Sequence, residues 1–249
     1  MFLFEWFGYM LSAFGRLTDN MGYALILAAI VFKLFLSLLT KKYYNSIVLT
    51  EIIRPQYDKI RDKHKNDPDL RNQQTMKFLM ESDYPMMSRF GIILFQIIIV
   101  AGICGALSNP AQYIFNNGAN LNMTFLGIPD ISLSPIQIYK AYGLHDSMFI
   151  SIILLMASVV LTFVHDMFME RRQLISQVGI DIFMLVAVTA CSVLLSQGFM
   201  IYWIVMKIFD IFTIFIMDKF YCVNIEEKRK AWEKQPKKKI NMKQETKKK

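Results

Sequence analysis

Residues 22–40 read GYALILAAIVFKLFLSLLT, with Lys33 as the only charge. A helix of that length, rising 1.5 Å per residue, covers roughly the 30 Å hydrocarbon thickness of a bilayer. Counted with this stretch as Gly22 to Leu39, five runs have membrane-spanning length; the others are Phe90 to Ser108, Ser147 to Val164, Val178 to Ser196 and Phe199 to Met217. Only Gln197 and Gly198 separate the last two, which requires a tight helical hairpin. Composition agrees: of 249 residues, 54% are apolar and 19% charged, against about 25% charged in ordinary soluble domains. A disordered chain, a disulfide scaffold and a compact cytosolic enzyme do not tolerate repeated runs of this kind.

Charge is segregated between these runs. Of 28 Lys and Arg, 10 lie in residues 40–89, 2 in 165–178 and 12 in 218–249, leaving Arg16, Lys33, Lys140 and Lys207 elsewhere. Cytoplasmic loops collect Lys and Arg, so the three basic blocks are expected inside. That puts the amino terminus outside and the carboxyl terminus in the cytosol of a bacterial plasma membrane. The expected fold is an all-α membrane protein with five transmembrane helices, a cytosolic helical hairpin and an N-terminal interfacial helix. Its parts are an interfacial helix at 1–20, a first span at 21–40, the hairpin at 41–88 and a second span at 89–108. An outer loop at 109–146, spans three to five at 147–217 and a basic cytosolic tail at 218–249 follow.

The first 20 residues lack the basic start and small-residue cleavage site of a signal peptide. Phe2, Phe4, Trp6, Phe7 and Tyr9 instead suggest a helix in the outer headgroup layer. In the hairpin, Ile47, Leu49, Ile52, Ile53, Tyr57 and Ile60 recur at helical spacing. Pro55 is expected to kink or delay that helix. Asp67 and Pro68 read as the cap and first position of a second helix ending near Glu81. Pro110, Pro129, Pro135 and turn residues at 116–120 predict an irregular outer loop. Asn122-Met123-Thr124 matches a glycosylation acceptor, a pattern too short to carry weight. Cys104, Cys191 and Cys222 have neither metal-ligand nor redox spacing and read as small core residues. The tail beyond Glu226 is Lys-rich and expected to be disordered past its first turns.

Function points to the ionisable residues inside the spans, because a charge at the centre of a membrane helix costs roughly 2.5–3.5 kcal/mol and requires a partner or water. These are Lys33, Asp181, Lys207 and Asp210, all in the cytosolic two thirds under the expected orientation. Lys207 and Asp210, three apart on one face, can neutralise each other. Lys33 has no acid three or four residues away and must meet Asp181 or Asp210 across the bundle, snorkel, or reach water. Ser147, Ser151, Ser158 and Thr162 fall within about 60° on the third span, and Asp181, Thr189, Ser192 and Ser196 within about 80° on the fourth. Such stripes either line a polar surface or serve close helix packing.

Three stretches carry a family resemblance. Gly22 to Thr40 with Lys41, Lys42 and the segment YDKIRDKHKNDPDLRNQQTMKFL resembles the first core span and coiled-coil loop of the YidC family of membrane protein insertases (the YidC/Oxa/Alb superfamily). FLGIPDISLSP at 125–135 resembles that family's outer loop, and Gly198 with IYWIVMKIFDIF at 201–212 its final span. They are spread over about four-fifths of the chain, in the family's order. The resemblance implies a non-enzymatic insertase and chaperone with a hydrophilic groove open to cytosol and lipid, in the minimal form seen in Gram-positive bacteria. Lys33 stands where the family has an arginine and Lys207 where it has an asparagine, with Asp210 an added acid. Gln96 and Tyr202 match groove positions by the same resemblance. The implied groove is thus Lys33, Gln96, Ser151, Ser158, Thr162, Asp181, Thr189, Ser192, Tyr202, Lys207 and Asp210. Lys33 is expected to attract acidic client tails, and Tyr57, Lys59, Arg61 and Lys63 to receive the client on the hairpin.

Expected partners are nascent membrane proteins, a Sec channel, and either ribosomal RNA or anionic lipids at the basic tail; no DNA, cofactor or metal is implied. A secondary transporter would also explain buried charges, but internal repeats and Gly- or Pro-broken spans are missing from the sequence. A non-catalytic assembly scaffold is a further alternative. Protease motifs such as GxSxG and HExxH are lacking, and His64, His145 and His165 lie outside the spans or at an edge.

Overall fold

The computed structural model describes residues 2–39, 41–84, 88–115, 121–170, 174, 178–220 and 224–234. Among them the regular structure is entirely helical, with isolated bridges only at Asn20–Asn122 and Phe125–Ile128. The turn signals at 116–120, Cys222 and the Lys-rich 235–249 lie outside the described residues. The chain forms two compact units, Met1–Leu39 with Phe90–Arg171 and Gln177–Ile214, and Thr40–Arg89 with Arg172–Ser176 and Phe215–Lys249.

The first unit contains α1 (Phe2–Thr18), α2 (Met21–Leu39), α5 (Ser88–Ser108), the short α6 (Pro110–Tyr113) and α7 (Pro135–Tyr142), then α8 (Asp146–Glu170), α9 (Val178–Leu194) and most of α10 (Gln197–Phe220). Asp146–Met169 and Gln197–Ile216 are long and apolar enough to cross a membrane; Met21–Leu36, Ile93–Ser108 and Asp181–Leu194 are shorter apolar helices. Leu34, Ile97, Ile153, Phe183 and Phe212, one on each of the five, are 55–68% exposed. Water does not tolerate large apolar side chains exposed on every helix of a bundle, whereas lipid does, since each helix satisfies its own backbone hydrogen bonds. The unit is a multi-pass helical membrane bundle.

One end of this bundle is capped. Phe7 and Leu11 of α1 are buried against Met21, Ala24, Leu25 and Ala28 of α2, with Ile103 and Leu107 of α5 in the same core. The loop 121–134 closes over them. Met21 N–H donates to the Asn122 carbonyl at 2.9 Å, and the Asn20 amide to the Thr124 carbonyl at 2.8 Å. The Phe125 ring lies over Gly22, where a Cβ would stand 2.1 Å from its Cγ. The first amides of α10, which have no intrahelical acceptor, donate to the loop: Gln197 to the Leu133 carbonyl and Gly198 to that of Ile131, both at 2.9 Å. Gly198 serves the packing of α10 on its neighbours, because a Cβ there would meet Leu107 Cδ1 at 2.5 Å and Leu25 Cδ1 at 2.9 Å. Asn122 is used locally, its side chain accepting from Thr124 N–H at 2.9 Å.

The expectation of an irregular loop is corrected by α6 and α7. Both begin with a side-chain cap followed by proline: Asn109 before Pro110, and Ser134 before Pro135 with a reciprocal bond to Gln137. The prolines start helices there, because a first-turn residue needs no amide hydrogen.

The second unit holds α3 (Lys41–Lys63), α4 (Pro68–Glu81) and α11 (Ile225–Glu233). Asp67 caps α4 through Leu70 N–H at 2.9 Å, with Pro68 at its start. Ile52, Ile53, Phe78, Leu79 and Leu174 form its core, joined by Tyr57 and Trp232. α3 continues through Pro55. The proline cannot donate to Glu51, four residues back; the Arg229 guanidinium of α11 does so instead, at 3.2 Å to the Glu51 carbonyl and 3.2 Å to that of Ile52.

Candidate functional site

The end of the bundle opposite the cap gathers charge. Lys33 on α2 forms an ion pair with Asp210 on α10. Of the two acids open to Lys33 in the sequence, Asp210 is thus its partner. The two side chains are 14% and 19% exposed, so the pair is shielded yet reachable. One turn earlier on α10, Lys207 is only 5% exposed. Its Nζ lies 3.2 Å from His165 Nδ1 and 5.2 Å from the centre of the Trp203 ring, a cation–π arrangement. His165 Nδ1 is also 2.8 Å from Asp166 Oδ1. One nitrogen cannot serve both neighbours: it accepts from the ammonium or donates to the carboxylate.

Beneath the charges lies a polar seam. Trp203 Nε1 donates to Thr162 Oγ1 at 2.9 Å, and Thr162 donates to the Ser158 carbonyl at 2.7 Å. Ser158 and Ser192 bond each other at 3.1 Å across α8 and α9, and the Gln197 amide donates to Ser151 at 2.6 Å. Ser151, Ser158, Thr162 and Ser192 are fully buried, so in this structure their hydroxyls join helices. Thr189 bonds its own helix at the Leu185 carbonyl, 2.8 Å away, and is half-buried. Asp181 and Gln96 are partly exposed on α9 and α5. Tyr202 is wholly buried in the apolar core, and its hydroxyl has no hydrogen-bond partner among the described residues.

On the second unit, Lys59, Arg61 and Lys63 are exposed, while Tyr57 is half-buried against the α3–α4 core. Burial raises the Tyr57 hydroxyl above its ordinary value, opposed by the Arg61 guanidinium. Among the described residues no cluster of three or more His, Cys, Asp or Glu could hold a metal ion. Sequence reading passed over His165 and Trp203. The available signal was spacing: His165 lies seven residues after Ser158 and Trp203 four before Lys207, each on the same helix face as its neighbour.

A helical membrane bundle with one capped end and one charged end defines the class. Within it, residues 13–224 match the family model described as 60Kd inner membrane protein. The chain belongs to that family, within the YidC/Oxa/Alb superfamily. Three relatives named membrane protein insertase YidC are similar to it. The Syntrophobacter fumaroxidans protein is 41% identical over 68 residues, 27% of this chain and 12% of that one. The Treponema denticola protein is 26% identical over 125 residues, covering 50% and 21%. The Clostridium tetani protein is 30% identical over 113 residues, covering 45% and 47%. The chain thus matches less than half the length of each of these curated relatives.

Proposed function

We propose that the protein is a non-enzymatic membrane protein insertase and chaperone, which accepts a client segment at the charged end of the bundle and releases it sideways into lipid. The observation carrying this reading is the asymmetry of the bundle, with Lys33, Asp210 and Lys207 at one end and a loop-sealed apolar core at the other. In this reading the capped end faces outward, the amino-terminal helix lies in the outer headgroup layer, and the carboxyl terminus is cytosolic, as the distribution of Lys and Arg favours. The α3–α4 pair is then a cytosolic hairpin that receives clients through Tyr57, Lys59, Arg61 and Lys63. The groove is lined by Lys33, Gln96, Asp181, Thr189, Lys207 and Asp210. Ser151, Ser158, Thr162 and Ser192 brace its back wall, and Tyr202 packs in the apolar core behind it.

No catalytic group is needed. Each apolar residue of a client helix gains about 0.3–0.6 kcal/mol on reaching the membrane centre, but its polar tail must first cross the hydrocarbon. Polar groups reaching part way into the bundle shorten that crossing. Clients are nascent membrane proteins, handed over by a ribosome or a Sec channel. Lys-rich residues 235–249 contact ribosomal RNA or anionic lipid, an attraction that weakens steeply with salt.

The test is reconstitution of the full chain in liposomes with a single-span client whose tail becomes protease-protected on insertion. Protection above that of protein-free liposomes is expected. Solute flux through the vesicles without client protection would overturn the reading in favour of a transporter.

A further inference from the structure

The charged end of the bundle is neutralised from within. Lys33 and Asp210, 177 residues apart in sequence, are brought together by α2 and α10. Lys207, the other base, is 5% exposed and engaged with His165 and the Trp203 ring. Asp166 lies beside His165. Lys33 and Lys207 are therefore matched in number by Asp210 and Asp166, with His165 Nδ1 between Lys207 and Asp166. A client carboxylate approaching Lys33 finds its place taken by a carboxylate of the protein itself. That resident acid is held in position and has already lost its freedom of movement, so an incoming acid gains nothing unless it displaces it. A client cation fares no better, because Asp210 is satisfied by Lys33. An uncharged polar tail likewise gains nothing from either charge.

Resting on the insertase reading above, we infer that Asp210 is a specificity-determining residue. By occupying Lys33 it removes the preference for acid that a free cation would confer, so the charged end takes membrane segments with acidic and with uncharged leading tails alike. This replaces the sequence-based expectation that Lys33 attracts acidic tails.

The experiment uses full-length protein in liposomes and two clients with one common apolar helix, differing only in a tail bearing two Asp or two Asn. The readout is the ratio of Asp-tail to Asn-tail insertion. Wild type is expected to give a ratio near one. Asp210→Asn, which frees the ammonium, should raise it to about tenfold, a modest share of the attraction between unit charges at 4 Å in a protein-like medium. The double variant Lys33→Gln with Asp210→Asn should return it to near one. A wild-type ratio of several-fold, or no change in Asp210→Asn, overturns the inference while leaving the insertase reading standing. Failure of wild type to insert even the Asn-tail client overturns both. If Asp210→Asn does not accumulate as a monodisperse protein in detergent, the wild-type ratio decides alone.

Discussion

The two ends of the bundle solve the same problem with different chemistry. At the capped end, the orphan amides of α10 are satisfied by backbone carbonyls of the 121–134 loop, whose Ile128 and Ile131 are buried in the apolar core. At the other end, α10 presents full charges that are satisfied by side chains from α2 and α8. Backbone-to-backbone closure is local in geometry and leaves no charge to desolvate. Side-chain pairing keeps charges partly reachable, and it sets up a penalty whenever one partner is removed. A seal suits the first arrangement, and a surface that handles polar chain suits the second.

The largest break in this contrast should come from Lys33→Ala, which leaves Asp210 without its ion-pair partner. Thermal or steric-trap unfolding in detergent should show a loss of about 3 kcal/mol, the lower part of the range for orphaning a buried charge because the pair is partly exposed. Lys33→Arg keeps the charge and should recover most of it. Gly22→Ala strikes the capped end instead: its Cβ would lie 2.1 Å from the Phe125 ring, and about 2 kcal/mol of overpacking strain is expected. The same client pair should then show an unchanged Asp-to-Asn insertion ratio, since the lesion touches no charge; a shifted ratio would mean that the two ends are coupled. The smallest effect is expected from Thr162→Val, which deprives the Trp203 N–H of its acceptor. About 1 kcal/mol should be lost, measured by the same unfolding assay.

The membrane helices were legible because hydropathy and length act along the chain. α4 was legible down to its first residue, since Asp67 and Pro68 are local signals. α7 was missed although Ser134, Pro135 and Gln137 spell a capping box, because proline was read as a breaker where it serves as a starter. The site was legible in kind but not in pairing. Lys33 has to find an acid, yet choosing Asp210 over Asp181 depends on how α2 and α10 are rotated, which no spacing within one helix records. Nor could the serines declare themselves. Hydroxyls that line water and hydroxyls that join helices are the same residues at the same spacing, and here Ser158 and Ser192 face each other.

Pro55 and Arg229 add a consequence for α11. The ring of one residue strips a carbonyl of its helical donor, and the guanidinium of another, far along the chain, moves into the gap. The last described helix, α11, is thereby pinned to a defect in α3, like a mooring line made fast to a cleat. A chain without the proline would offer the guanidinium no open carbonyl, so the fastening and the flaw come as a pair.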